Sequence, residues 1–334
     1  MTRAGLILLS IGTALFIALL SRQGFGAVVS TLAAAGWGLL LVSAFHLIPL
    51  VVDARAITVM VVPRGEPDVS LRDTLFARWV LESVNSLLPV GQIGGPVLMA
   101  RYLSQKGVPL PRAAAAVTVS TTMQVLAQIV FTLAGIAIFS FGTNSATAAY
   151  LRTPALISTT LLAACAFGLC LAQRRGLFGW SLRILPKAFS PRNWPLLATR
   201  ADAIDAAVSE LYGKRNRVIS TFWLSFAGWV LGTGEVWLAL YFLGHPVSWV
   251  DALLLECVGQ SIRGTAFMIL GSLGAQEGGY LLLAPLVGLP PDAALALSLA
   301  KRVRELAFGL PGILYLHFSE KNWQRNCSSQ LADQ

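Results

Sequence analysis

Residues 71–107, LRDTLFARWVLESVNSLLPVGQIGGPVLMARYLSQKG, and residues 249–289, WVDALLLECVGQSIRGTAFMILGSLGAQEGGYLLLAPLVGL, carry one pattern nearly 200 residues apart. Each is apolar enough for lipid and is split by a glycine cluster. Gly91, Gly94 and Gly95 divide the first; Gly271, Gly274, Gly278 and Gly279 divide the second. Charges and amides flank each break, and prolines followed by a long apolar run come after it (Pro109 and Pro111; Pro290 and Pro291). Unwound backbone and charge inside a bilayer are tolerated only where protein or a wet cavity surrounds them. Paired, glycine-interrupted segments at matching positions of two halves point to a transport site.

Composition agrees. Hydrophobic residues make up 55% of the chain and charged residues 12%, at a mean hydropathy of +0.68. Soluble domains carry about 25% charged residues, so the fold class expected is an all-α polytopic membrane protein. The net charge of +9 lies mostly in loops between apolar segments. It therefore speaks for cytoplasmic loops and against nucleic-acid binding. Those loops also suit anionic headgroups.

Outward from the two hairpins, apolar spans are expected at Ala4–Leu20, Thr31–Val52, Ala113–Phe141, Pro154–Ala172, Val218–Leu243 and Ala293–Phe318, each long enough for a core of about 30 Å, the first marginally so. Arg3 before the first span resembles a signal peptide, but LLSRQG lacks a small-x-small cleavage site and another span follows, so an uncleaved anchor is expected. Residues 1–141 and 154–318 then share the order span, span, hairpin, span in opposite orientation, within a single integral membrane domain (1–334). This is an inverted-topology repeat of six spans and two hairpins. Arg174–Arg217 is the one extended polar stretch, with nine Lys/Arg against three Asp/Glu. It is expected to be a cytoplasmic loop, either amphipathic on the inner leaflet or simply solvated.

The residues able to carry chemistry sit at the breaks. The first hairpin holds Arg78, Glu82, Asn85, Gln92 and Arg101; Arg78 and Glu82 are spaced to neutralise each other on a helix. The second holds Glu256, Gln260, Arg263, Gln276 and Glu277. The last span opens with Lys301, Arg302, Arg304 and Glu305. The alternative for each such charge is pairing that only fixes helix packing, and for each glycine a close helix contact. Burying the whole set is expensive, which favours function. These cations outnumber the acids, predicting a positive cavity for an anionic or hydroxyl-rich lipid end. The hairpin tips are expected to meet, Gln276 and Glu277 against Gln92 and Gly94–Gly95. Asp53, Asp68 and Asp73 are read as solvated. Cys165, Cys170, Cys257 and Cys327 show no metal or redox spacing, and His46, His245 and His317 form no ligand pair, so no metal or other cofactor is expected. No nucleotide-binding loop or nucleophile motif occurs, so no enzyme is expected.

The blocks WVLESVNSLLPVGQIGG, ARYLSQKGVPLPRAAA and LGAQEGGYLLLAPLVGLPPDAALALSLAKRVRELAFGLPG resemble the transmembrane, flippase-like domain of the lysylphosphatidylglycerol synthase superfamily. The nearest likeness is to the bacterial inner-membrane HpnL group associated with hopanoid biosynthesis. The resemblance covers nearly the whole chain. It implies translocation of a lipid between leaflets, or export of a hopanoid, with membrane lipids and lipid-biosynthesis enzymes as partners. It singles out Asn85, Pro89, Gln92, Gly94, Gly95 and Arg101 in one block, and Gln276, Glu277, Gly278, Arg302, Arg304 and Glu305 in the other. Pro96 departs from the pattern, which commonly has an acidic residue after the paired glycines; if that carboxylate carries substrate or proton coupling, Glu82 or Glu277 has to serve instead. No aminoacyl-transfer domain like that of full-length synthases is expected, so the resemblance does not imply synthase activity. The competing functions are a lipid transporter without its own ATPase, a non-transporting scaffold for biosynthetic enzymes, and an intramembrane lipid-modifying enzyme.

Basic-loop asymmetry fixes an expected topology. Reporter fusions at Arg64, Arg192 and Gln334 should read as cytoplasmic, and fusions at Asn144 and Gly244 as periplasmic. A periplasmic C-terminus would break the inverted repeat.

Overall fold

The structure is a computed structural model. It describes residues 35–61, 69–88, 94–142, 167–177, 194–265 and 274–332, with a few single residues at 26, 30, 33, 160, 163 and 164. The described residues are helical, with no strand among them. The expected span Ala4–Leu20, most of Pro154–Ala172, and both hairpin tips with Pro89, Gln92 and Gly271 lie outside them.

Helices α1 (Gly38–Phe45) and α2 (Leu47–Val61) form one broken rod. Pro49 has no N–H to offer the turn before it, and the break falls at His46. The helix runs on through Asp53 and Arg55 to Val61, nine residues past the expected end at Val52. Helix α3 (Leu71–Leu87) starts at a capping box in which the Ser70 hydroxyl accepts from the Asp73 amide while Asp73 accepts from the Ser70 amide. Helix α4 (Gly94–Gln105) returns against it, and α5 (Leu110–Gly142) follows. Helix α6 (Trp194–Gly213) occupies the second half of the expected polar loop. Ala201, Ile204, Val208 and Leu211 line one face of α6 at helical spacing and pack into the core with α5.

The second half continues with α7 (Arg215–Phe242), α8 (Trp249–Thr265), α9 (Ala275–Leu283), a 3₁₀ turn (Ala284–Val287) and α10 (Pro291–Ala332). The packing pairs correspond between halves. Helix α3 packs on α10 as α8 packs on α5, and α2 lies against α7. The returning helices are short. At 1.5 Å per residue, α4 and α9 span roughly 18 and 14 Å, less than a hydrocarbon core of about 30 Å.

Two helical stretches among the described residues are long and apolar enough to cross a membrane, Gly38–Val61 and Leu110–Phe139. Helices also form at the expected spans Val218–Leu243 and Ala293–Phe318, but Glu235 interrupts one and Lys301, Arg302, Arg304 and Glu305 crowd the other. The distribution of polarity is inverted relative to a soluble domain. Leu282, Trp37, Leu40, Leu310 and Leu314 are well exposed, whereas Glu235, Glu256, Glu277, Lys301, Arg304 and Glu305 are buried. Large apolar surface facing outward is costly in water and natural in lipid.

Close approach of α3 and α10 depends on two glycines. A Cβ at Gly312 would stand 2.0 Å from Ser83 Oγ, and one at Gly309 would stand 2.6 Å from a Leu87 methyl. Trp79 Nε1 donates to the Phe308 carbonyl at 2.9 Å, three residues before Pro311, which lies inside the helix. Gly312→Val is therefore expected to lower stability by about 1–3 kcal/mol through overpacking. Gly278→Ala, where nothing lies within 4 Å of the added carbon, should be neutral or slightly stabilising. Thermal unfolding in detergent micelles measures both.

Candidate functional site

Each sequence block turns out to be a local device. In the first, Asn85 Oδ1 accepts from the Gly95 amide at 3.0 Å, so the side chain of α3 caps the start of α4. Gly95 is held so near that a Cβ would meet both Asn85 Oδ1 and the Leu81 carbonyl within 2.6 Å. Gly94 opens the helix beside it. In the second, Gly274 adopts φ +78°, a left-handed conformation natural to glycine. Glu277, fully buried, accepts from the Gly274 amide at 2.7 Å, from the Ser298 hydroxyl at 3.0 Å and from Arg302 at 3.0–3.1 Å. Gln276 donates to the same Ser298 at 3.3 Å, and its Oε1 is buried without a partner among the described residues. The contacts of Gly95 thus run to its own hairpin and those of Gln276–Glu277 to α10, the helix that packs along both α3 and α9.

Around α10 these residues join a wider network. Lys301 Nζ meets Glu256 at 2.5 Å with both side chains nearly inaccessible. Arg263 pairs with Glu305, and Arg302 reaches Glu305 as well as Glu277. Arg304 lies 2.9 Å from Glu235 and 2.6 Å from His46. His46 in turn lies 2.7 Å from Glu82 and 3.0 Å from Glu235. A narrow cleft between α3 and α10 reaches this network, lined by Glu82, Trp79, Ser83, Ser86, Phe308 and His46 among others.

Several expectations need correction. Arg78 and Glu82 do not neutralise each other: Arg78 binds Asp53 at 2.7 Å and Glu82 faces His46. Asp53 is not solvated but largely buried, taking a second hydrogen bond from Gln124 at 2.8 Å. Arg101 does not join the central set. It is half-exposed and forms a two-pronged bridge to Glu320, which Gln105 also contacts. That bridge holds the Glu320 carboxyl below its ordinary range. The cavity is not positive either. Arg263, Lys301, Arg302 and Arg304 face five carboxylates, Glu82, Glu235, Glu256, Glu277 and Glu305. The acid that tips the balance is Glu235, a single carboxylate within GTGEVWL that sequence patterning gave no reason to select. His46 escaped notice for a similar reason, since its partners come from distant segments.

Among the described residues, helices with apolar side chains facing outward and paired charges inside suit an integral membrane protein. The chain belongs to the family described as the lysylphosphatidylglycerol synthase TM region, which it matches over residues 4–312. Membership ties it to lipid handling at a membrane. No curated protein and no solved structure matches it.

Removing one member of a buried ion pair strands the other, at about 3–5 kcal/mol. Lys301→Met alone should therefore be severely destabilising, while Lys301→Met combined with Glu256→Leu should recover more than half of the loss. A double-mutant cycle on thermal unfolding measures this, and additive effects would mean that the pair contributes nothing.

Proposed function

We propose that this protein is an inner-membrane lipid transporter that moves a hopanoid or a phospholipid between leaflets without an ATPase of its own. The observation that carries the proposal is the cleft between α3 and α10. Its walls combine apolar groups, Leu50, Trp79 and Phe308, with Glu82, whose side chain is 27% exposed, and with His46, Arg304 and Glu305 of the charge network. A lipid could offer its polar end to that cleft while its body stays in the bilayer. The carboxylate surplus favours a headgroup that donates hydrogen bonds, such as a polyol or an amine, over a bare anion.

The corresponding packing pairs of the two halves support an inverted repeat, and the short returning helices support re-entrant hairpins. The basic loops support cytoplasmic termini. The likeness to the hopanoid-associated group supports a hopanoid as the cargo. A second reading, a non-transporting scaffold for lipid-biosynthesis enzymes, draws on the closure of the network, because charges paired with one another can also serve only to lock helices together.

Proteoliposomes with a leaflet-resolved lipid assay separate the two. The transporter speeds exchange of a polyol-headed lipid relative to protein-free vesicles. Ser86→Trp, which fills the cleft, should slow exchange at least about tenfold, equivalent to about 1.4 kcal/mol in the barrier. Arg101→Ala, at the distant Glu320 bridge, should leave the rate unchanged. Equal exchange with and without protein favours the scaffold.

A further inference from the structure

His46 sits at the break between α1 and α2, and its ring projects among groups from three other helices. Glu82 of α3 stands 2.7 Å from Nε2. Glu235 of α7 stands 3.0 Å from Nδ1. Arg304 of α10 brings a guanidinium nitrogen to 2.6 Å from the same Nδ1, and the Phe308 ring meets the imidazole edge-on. The charges beyond this shell have partners of their own: Asp53 of α2 with Arg78 of α3, Glu305 of α10 with Arg263 of α8, and Lys301 of α10 with Glu256 of α8.

The two contacts at Nδ1 exclude one another. A neutral ring with its proton on Nε2 donates to Glu82 and accepts from Arg304 at Nδ1. A doubly protonated ring donates from both nitrogens, to Glu82 and to Glu235, and then Nδ1–H opposes a guanidinium N–H. One added proton thus turns Nδ1 from acceptor to donor and releases Arg304 from the ring. Arg304 keeps its carboxylates, Glu235 at 2.9 Å and Glu305 at 3.7 Å. The charge balance points the same way. With the ring neutral, the five carboxylates exceed the four cations by one, and a proton on His46 makes the packet neutral.

The three groups also form a line inward. Glu82 borders the cleft, His46 is 12% exposed behind it and Glu235 is 3% exposed behind that. Glu235 Oε1 is buried and has no hydrogen-bond partner among the described residues, leaving an acceptor at the inner end. Because Nε2 already carries the proton of the neutral ring, the second proton enters at Nδ1 by way of Glu235, and one then leaves from Nε2 to Glu82 at the cleft, which leaves the Nδ1–H tautomer behind with no electrons exchanged.

We propose that His46, between Glu82 and Glu235, is a proton-binding site whose occupancy switches Arg304 between ring and carboxylates, so that α10 shifts against α3 as a proton passes. The coupling to lipid movement rests on the transporter reading, whereas the proton site itself does not.

The chain contains three histidines, His46, His245 and His317, so ¹⁵N-histidine labelling of the full protein in proteoliposomes gives a readable spectrum. The His46 signal is identified by its loss in His46→Gln. Between about pH 5 and about pH 9, both His46 ring nitrogens should convert together from the neutral to the doubly protonated pattern, and Glu235→Gln should displace that transition. An imposed pH gradient should speed lipid exchange several-fold in the parent protein and have no effect in His46→Gln. His46 nitrogens that stay in one state across the range overturn the proton site. Exchange in the parent protein that ignores the gradient overturns the coupling. Titration of His46 with no lipid movement for any headgroup supports the proton site and refutes the transporter reading instead.

Discussion

A carboxylate taken out of water without a partner costs several kcal/mol even after relaxation, and this chain encloses five of them in one packet of helices. That constraint positions most of what surrounds them. Each acid needs a cation or donor at bonding distance, and the partners come from helices remote in sequence. Glu235 and Arg304 are 69 residues apart, and Arg263 and Glu305 are 42 apart. Helix α10 supplies Lys301, Arg302 and Arg304 within a single turn. It therefore becomes the element to which α7, α8 and α9 are referenced, while its other side takes α3 through Gly309 and Gly312. The apolar periphery demands little in return, because lipid accepts Leu282 or Trp37 in many arrangements.

What the sequence made legible follows from how local the underlying physics is. One glycine of each cluster stands where a helix begins, Gly94 at the first residue of α4 and Gly274 just before α9, and the positive φ at Gly274 and the close approach at Gly95 each require a glycine. Glu277, three residues past Gly274, has the spacing of an N-terminal capping acid. The stripe of Ala201, Ile204, Val208 and Leu211 was equally visible at helical spacing, but the positive charge around it suggested a loop. Distant partnerships were not legible. Asp53 and Arg55 after an apolar run look like a membrane boundary, and only Arg78 and Gln124 arriving from α3 and α5 let the helix continue through them. His46 and Glu235 carry no motif at all, because their meaning lies in each other.

The two blocks selected by resemblance perform parallel tasks by different chemistry. In the first, an amide side chain on the outgoing helix caps the returning one. In the second, a carboxylate caps its own helix and grips α10. The first joint is neutral and confined to its hairpin. The second is charged and ties α9 to the helix that organises the core.

The network also restricts how such a sequence can drift. Loss of Glu235 would leave Arg304 bonded to a histidine and to a more distant acid, and loss of Arg304 would leave Glu235 and His46 to share a proton. Neither change is tolerable alone in a low-dielectric interior, so the accessible evolutionary steps are paired or pass through a charge-neutral intermediate such as glutamine. Among descendants of this chain, residues 46, 82, 235 and 304 should change as one inherited unit, while the outward-facing leucines of the same helices vary independently.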